Sequence, residues 1–242
     1  MNLVVDIGNT QVKAAVFELH KLIEHFVFEE EQFSKKIQQI LQEREINQCI
    51  LSSVRENNTK IVDQLSKIPR FIQLNSTTPV PFQNLYSTPK TLGIDRIALV
   101  AGAIGEFPNQ NVLVIDAGTC ITYDFLNSKS EYLGGAISPG ITVRYRSLHD
   151  YTSKLPQLTI NEEFNLIGDS TSGAIHSGII NGVIQEIEGV INQYQAKYQD
   201  LTVVLTGGDT KFLSKQLKNS IFANQNFLLH GLNQILTFNN KE

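Results

Sequence analysis

The sequence reads as an α/β protein built from two related halves. The first sign is the stretch Leu3-Val4-Val5-Asp6-Ile7-Gly8-Asn9-Thr10-Gln11-Val12-Lys13. An apolar run enters an aspartate, a glycine and two small polar residues follow, and a second apolar run continues to Phe17. That is the pattern of strand, tight turn, strand. The second sign is its return at Val114-Ile115-Asp116-Ala117-Gly118-Thr119, again followed by an apolar run, Ile121 to Leu126. The same turn repeated at long period argues for two half-molecules of common design. The third sign is alternation. The first half runs βββ, α, β, α, β, an order that layers helices on a sheet.

Leu3–Ile7, Val12–Leu19 and Leu22–Phe28 read as the strands of a meander. Gln32–Arg44 carries Phe33, Ile37, Ile40 and Leu41 at helical spacing with charge between them. Gln48–Val54 is a short apolar strand, Asn57–Lys67 a helix with Ile61, Val62 and Leu65 on one face, and Phe71–Leu74 a further strand. Thr77–Lys90, with Pro79, Pro81 and Pro89, reads as an extended loop. Ile94, Ile97, Ala98 and Ala101 then mark a helix that begins after Gly93, which puts Asp95 in its first turn near the positive end of the helix dipole.

The second half repeats the opening: Val112–Ile115, the Asp116 turn, Ile121–Leu126, and a third strand into Ile137. Gly134-Gly135 predicts close backbone approach or a bulge. Pro139-Gly140 ends that strand before a helix over Thr142–Tyr151. A long helix covers Ser172–Lys197, with Ile175, Ile179, Val183, Ile187 and Ile191 on one face and Ser170 or Thr171 as an ordinary N-cap. Leu201–Leu205 is a strand that runs into Thr206-Gly207-Gly208-Asp209, where a helix begins. Such a junction suits a nucleotide, or is an αβ connection that needs glycines for its geometry.

Composition narrows the chemistry. The 242 residues are 41% hydrophobic and 18% charged, as in a soluble globular protein. Net charge is −4 with no basic block, which disfavours nucleic acid as a partner. No apolar stretch is long enough to span a bilayer, and the chain opens directly on a strand without a leader-like segment, so a cytoplasmic enzyme is expected. Cys49 and Cys120 sit in apolar runs and read as reduced core thiols. The P-loop, Rossmann, nucleophile-elbow and zincin motifs are absent. The scattered histidines read as structural or surface residues, and Val143-Arg144-Tyr145-Arg146 as a solvated face or interface.

The turns carry the chemical signal. Gly8 lets a bulky anion approach the backbone, and Asn9, Thr10 and free N–H groups can form an anion nest. Asp6, at the end of a buried strand, can order a hydrated cation. Asx-type hairpin turns are the plain alternative for either turn alone. Asp95 beside Arg96 also has a plain reading, a helpful acid at a helix start with a surface partner. The small and apolar residues that follow instead indicate a buried helix, which rarely opens on an acid–base pair.

Together Asp6-Ile7-Gly8-Asn9-Thr10, Gly93-Ile94-Asp95-Arg96, Asp116-Ala117-Gly118-Thr119 and Gly134-Gly135-x-Ile137-x-Pro139-Gly140 resemble the signature set of type III pantothenate kinases, within the sugar kinase, Hsp70 and actin superfamily. Leu155-Pro156, Gly168-x-Ser170-Thr171 and Thr206-Gly207-Gly208-Asp209 match as well, in the right order over nearly the whole chain; Ile94 stands where many members carry alanine. The resemblance implies two similar actin-like, ribonuclease H-like halves, each a mixed sheet flanked by helices, with a nucleotide cleft between them. Residues 1–110 would hold the phosphate loop and substrate base, and 111–242 the second phosphate loop, cation site and adenosine side.

By the same resemblance the chain would phosphorylate pantothenate from ATP, the first step of coenzyme A synthesis. Asp6, Ile7, Gly8, Asn9, Thr10, Gln11, Val12 and Lys13 would bind ATP from one side and Thr119 from the other, with Mg²⁺ near Asp6 through water. Asp116 would hold a monovalent cation, K⁺ or NH₄⁺. Asp95 would accept the substrate hydroxyl proton, and Tyr86, Gly93, Ile94, Asp95, Arg96 and Thr171 would bind pantothenate. A homodimer with the active site near its interface is implied. Another kinase of the superfamily, a phosphohydrolase on the same scaffold and a non-catalytic nucleotide-binding regulator are the alternatives.

Overall fold

The computed structural model describes residues 1–8, 11–53 and 59–240. Asn9 and Thr10, two of the expected ATP-binding residues, lie outside the described residues. Contacts group the chain into two units: Met1–Pro108 with Ser130–Tyr132 and Asn226–Glu242, and Asn109–Lys129 with Leu133–Gln225.

In the first unit the meander forms as the alternation predicts: β1 (Asn2–Ile7), β2 (Val12–Glu18) and β3 (Lys21–Phe28). Helix α1 (Phe33–Glu43), β4 (Gln48–Ser53), α2 (Thr59–Leu65) and β5 (Arg70–Gln73) follow. The sheet order is β3-β2-β1-β4-β5, with β1 antiparallel to β2 and parallel to β4. Successive residues of a strand point to opposite faces. Leu3, Val5 and Ile7 therefore share one face and pack on Ile37 and Ile40 of α1 and Ile61 and Leu65 of α2. Val4 and Asp6 share the other. The loop over 77–90 contains a short strand, β6 (Gln83–Asn84), which pairs with Glu131 and Tyr132, and a 3₁₀ turn covers Pro89–Thr91. Helix α3 (Ile94–Glu106) then packs against β4.

The second unit repeats the plan with β7 (Asn111–Ala117), β8 (Cys120–Leu126), β9 (Glu131–Pro139), α4 (Ile141–Asp150), α5 (Thr171–Lys197), β10 (Leu201–Thr206), α6 (Thr210–Leu213) and β11 (Phe222–Ala223). Its strand order, β11-β10-β7-β8-β9, has the same connectivity as the first sheet, β7 antiparallel to β8 and parallel to β10. Leu113, Ile115, Tyr123 and Phe125 pack on Ile175, Ile179, Val183 and Ile187, so the periodicity of α5 is its core face. Ser170 is the N-cap, its hydroxyl accepting the Gly173 N–H.

The structure departs from the sequence reading in particular places. A last helix, α7 (Phe227–Phe238), packs on α3 and on β1, β2 and β4 of the first unit. A division at 110/111 leaves this helix with the second half, whereas its contacts place it with the first. Asn233 ties it down, donating to the Leu19 carbonyl and accepting from Asn2, both at 2.8 Å. Cys49 is a core thiol, but Cys120 is exposed, because the first residue of β8 faces solvent. Among the described residues no helix is long and apolar enough to cross a membrane.

Gly231 lets α7 approach α3 closely, since a Cβ there would fall on the Ala98 carbonyl. Backbone cannot yield as a side-chain tip can. Gly231→Ala is expected to cost about 3 kcal/mol, the upper end for overpacking. A urea unfolding curve checks this, and an unchanged midpoint would show that the two helices separate freely.

Candidate active site

Strand β1 carries Asp6 on the face that receives α3 and α7, one residue before the Gly8 turn. The parallel register of β1 and β4 sets Ser52 beside it, and the Ser52 hydroxyl donates to the Asp6 carboxylate at 3.0 Å. Asp6 is only 8% exposed. Burial pushes its carboxyl from an ordinary 3.8 up to about 6; the Ser52 bond and the Lys13 charge pull it down, and Asp95 pushes it further up. Asp6 and Asp95 are thus electrostatic neighbours within one unit, although they lie 89 positions apart in the chain.

The turn after Asp6 is closed by the Gly8 N–H donating to the Gln11 carbonyl at 3.1 Å. Ile7, Gly8, Gln11 and Val12 line a cavity of about 160 Å³ whose remaining lining is Glu29, Glu30 and Glu31. These glutamates disfavour an anion at the turn unless a cation comes with it.

Asp95 sits in the first turn of α3, its carboxylate accepting the Arg96 N–H at 2.8 Å. A Cβ on Gly93 would collide with that carboxylate, so the glycine leaves room for the acid. Arg96 is 5% exposed, with its guanidinium 5.6 Å from the Tyr86 ring centroid. Tyr86 stacks on Tyr132 at 6.0 Å, the two rings 20° apart. The first unit therefore assembles Asp6, Asp95, Arg96 and Tyr86 around the ends of β1 and α3. Such a set can neutralise, orient and deprotonate a small polar substrate.

In the second unit, Asp116, the next-to-last residue of β7, lies between Thr122 of β8 and Thr206 of β10. The turn is tightly packed. The Asp209 N–H donates to the Ala117 carbonyl at 2.9 Å, and the Gly140 N–H to the Thr119 carbonyl at 3.0 Å. A Cβ on Gly207, at φ +96°, would strike both Ala117 and Asp116. The glycines of Thr206–Asp209 thus serve geometry, and the helix expected there, α6, is a single turn. Thr119 is exposed. Thr171 lines a cavity of about 660 Å³ with Arg144, Ser147, Leu148, Leu155 and Ile179. Arg144, read from sequence as part of a solvated face or interface, is bonded to Ser138, Pro139 and Glu186. Its i+1 neighbour Tyr145 is buried, with its hydroxyl 2.6 Å from His176 Nδ1.

Two cations need testing against these residues. Asp6 fits a hydrated divalent ion, because burial still holds its carboxyl above the ordinary range despite the Ser52 hydroxyl and the Lys13 charge, and the added charge of such an ion offsets that penalty. Among the described residues no cluster of three or more His, Cys, Asp or Glu could hold a metal ion. Sequence reasoning missed Ser52 and Tyr132. Ser52 closes an apolar strand as many serines do, and only the β1–β4 register reveals its partner.

Comparisons with known proteins agree with this geometry. A family model described as type III pantothenate kinase matches residues 2–193. The chain is 49% identical to the type III pantothenate kinase of Flavobacterium johnsoniae over 97% of this chain and 96% of that one. It is 50% identical to that of Christiangramia forsetii, with 99% of each covered. Among solved structures, a Baf family transcriptional activator from Campylobacter jejuni superposes with TM-score 0.62 at 25% identity, covering 99% of this chain and all of that one. A glucokinase from an Antarctic psychrotroph gives 0.54 at 11% identity with 98% of each covered, which shows that the α/β fold of two mixed sheets flanked by helices is that of the actin-like sugar kinases. The chain belongs to the type III pantothenate kinase family.

Proposed function

We propose that the chain transfers the γ-phosphoryl group of ATP to the hydroxyl of pantothenate, the first step of coenzyme A biosynthesis, with Asp95 as the base. The observation that supports these roles is the coupling of Asp6 and Asp95 at the end of β1, within a chain of this family. Phosphoryl transfer passes through a loose, anionic transition state, so positioning and charge neutralisation outweigh covalent chemistry. Asp6 would hold Mg²⁺ through water, and the ion would supply positive charge at the phosphates of ATP. Gln11, Val12 and Lys13, with Asn9 and Thr10, bind the phosphates through N–H groups and the Lys13 ammonium, and Gly8, whose own N–H closes the turn onto Gln11, leaves room for them to approach. Thr119 is the ATP contact of the second unit, and Asp116 holds K⁺ or NH₄⁺.

Arg96 suits the pantothenate carboxylate because a guanidinium forks onto a carboxylate through two N–H bonds. Tyr86 fixes that guanidinium from one side. Gly93 and Ile94 shape the approach to Asp95, and Thr171 binds pantothenate from its cavity. Asp95 takes the proton of the attacking hydroxyl as its oxygen bonds to the γ-phosphorus and the bond from that phosphorus to the bridging oxygen breaks, releasing ADP. The enzyme acts as a cytoplasmic homodimer with its active site near the interface.

Pantothenate-dependent release of ADP from ATP, with mass detection of the phosphorylated product, is the test. ADP release that ignores pantothenate overturns the reading. It would favour instead a phosphohydrolase on the same scaffold, whereas no ADP release at all would favour a non-catalytic nucleotide-binding regulator. Sodium in place of potassium is expected to lower the rate, and equal rates would leave Asp116 without a cation role. Gly93→Ala pushes the Asp95 carboxylate aside. It is expected to lower kcat on the order of 10²-fold, the penalty for a misplacement of about 1 Å. Full activity in that variant would mean that the acid has room to move.

A further inference from the structure

We propose that Glu186, Arg144 and Tyr123 form a clamp that positions the Gly118–Thr119 turn and so the ATP contact made there. They are positioning residues, and the inference rests on the reading of Thr119 given above. The clamp lies wholly within the second unit. Arg144, in the first half of α4, donates from Nε to the Pro139 carbonyl at 2.8 Å and from its terminal nitrogen to the Ser138 hydroxyl at 2.9 Å. The same guanidinium pairs with Glu186 on α5. The other Glu186 oxygen accepts the Tyr123 hydroxyl at 2.9 Å. Tyr123 is buried on β8, the strand that leaves the turn.

The clamp reaches the turn without slack. Ser138 and Pro139 lead into Gly140, whose N–H holds the Thr119 carbonyl at 3.0 Å. A Cβ on Gly140 would overlap the carbonyls of Gly118 and Thr119. A shift of the 138–140 segment is therefore passed on to the turn. On the other flank, a Cβ on Gly135 would overlap the Tyr123 carbonyl, so β8 and β9 are pressed together as well. Burial raises the Glu186 carboxyl, but hydrogen bonds from Arg144, Ser138 and Tyr123 and the Arg144 charge more than offset it and keep the group ionised. Burial, with the Glu186 charge, pushes the Tyr123 hydroxyl up, so it remains a donor. The planar arginine fork serves three acceptors in different directions, which a lysine ammonium on a flexible stem cannot match.

Cys120 offers a reporter next to Thr119. It is exposed while Cys49 is buried, so a thiol reagent added to the folded protein reads Cys120. Glu186→Gln and Arg144→Lys are expected to raise the KM for ATP about tenfold, the cost of one well-placed contact. They are also expected to speed alkylation of Cys120 about fivefold through local opening of the turn. In Glu186→Gln the KM for pantothenate stays unchanged; Arg144 is left out of that comparison because it lines the Thr171 cavity. Tyr123→Phe, which removes one hydrogen bond and no charge, is expected to move both readouts the same way by less, and it decides the matter if the charged variants fail to fold.

Folded variants with unchanged KM for ATP and unchanged Cys120 alkylation overturn the clamp, as does a lost activity that only follows lost thermal stability. Wild-type protein without pantothenate-dependent ADP release overturns the kinase reading instead. The alkylation rates still test the clamp in that case.

Discussion

Exchanging Asp95 for asparagine lowers kcat on the order of 10²- to 10⁴-fold, the span of general base catalysis, and leaves the KM for ATP nearly unchanged. The substitution is close to isosteric. An amide oxygen can still accept the Arg96 N–H, the bond that Asp95 makes at 2.8 Å, so the start of α3 is kept. What is lost is the capacity to take a proton. Binding of ATP does not need that capacity, whereas attack by a neutral hydroxyl does. The variant also removes a like charge from beside Asp6, so the Asp6 carboxyl falls toward its ordinary range. Steady-state kinetics with both substrates varied, alongside thermal melting, checks both halves of the statement. Turnover equal to wild type in a folded variant removes Asp95 from the chemistry. A raised KM for ATP with unchanged kcat would move it to the nucleotide.

Much of the molecule was legible because it rests on local rules. The meander strands, α1, α3 and α5 follow from apolar period and turn chemistry. Asp6 stood out because a carboxylate at the end of a buried strand has little structural use, and Asp95 because a buried helix rarely opens on an acid–base pair. Long-range events were not legible. Helix α7 carries Gly231 mid-helix, and that glycine makes sense only against Ala98, which the fold brings to it from α3. Glu186 looks like one more polar residue on a long helix until the fold brings Arg144 and Tyr123 to it. Spacing marks Arg144 as part of a basic surface patch, and only the turn of α4 off β9 aims it inward.

Asp6→Asn, the second large effect, acts on stability and turnover in opposite directions. The folded protein holds the Asp6 carboxyl at about 6 against an ordinary 3.8, chiefly by burial. With the folded value raised, the acid costs nothing at pH below 3.8, where it is protonated in both states. The penalty develops as pH rises and is complete above about 6, where the folded chain keeps a carboxylate out of water. The gap is worth roughly 3 kcal/mol. Asparagine cannot ionise, and its amide oxygen can still accept the Ser52 hydroxyl. In metal-free protein the variant should match wild type near pH 4 and melt roughly 5–10 °C higher at pH 8, at the few degrees per kcal/mol expected for a chain of this size. A gain of the same size at both pH values would show that the carboxylate is not its source. Wild-type protein should recover the deficit when Mg²⁺ and ATP are added, since a ligand that binds only the folded state stabilises it by mass action. The variant should recover little and turn over at least on the order of 10²-fold more slowly, the scale of a lost electrostatic contact to the transition state. The strand end that weakens the empty protein is then the one that recruits the cation.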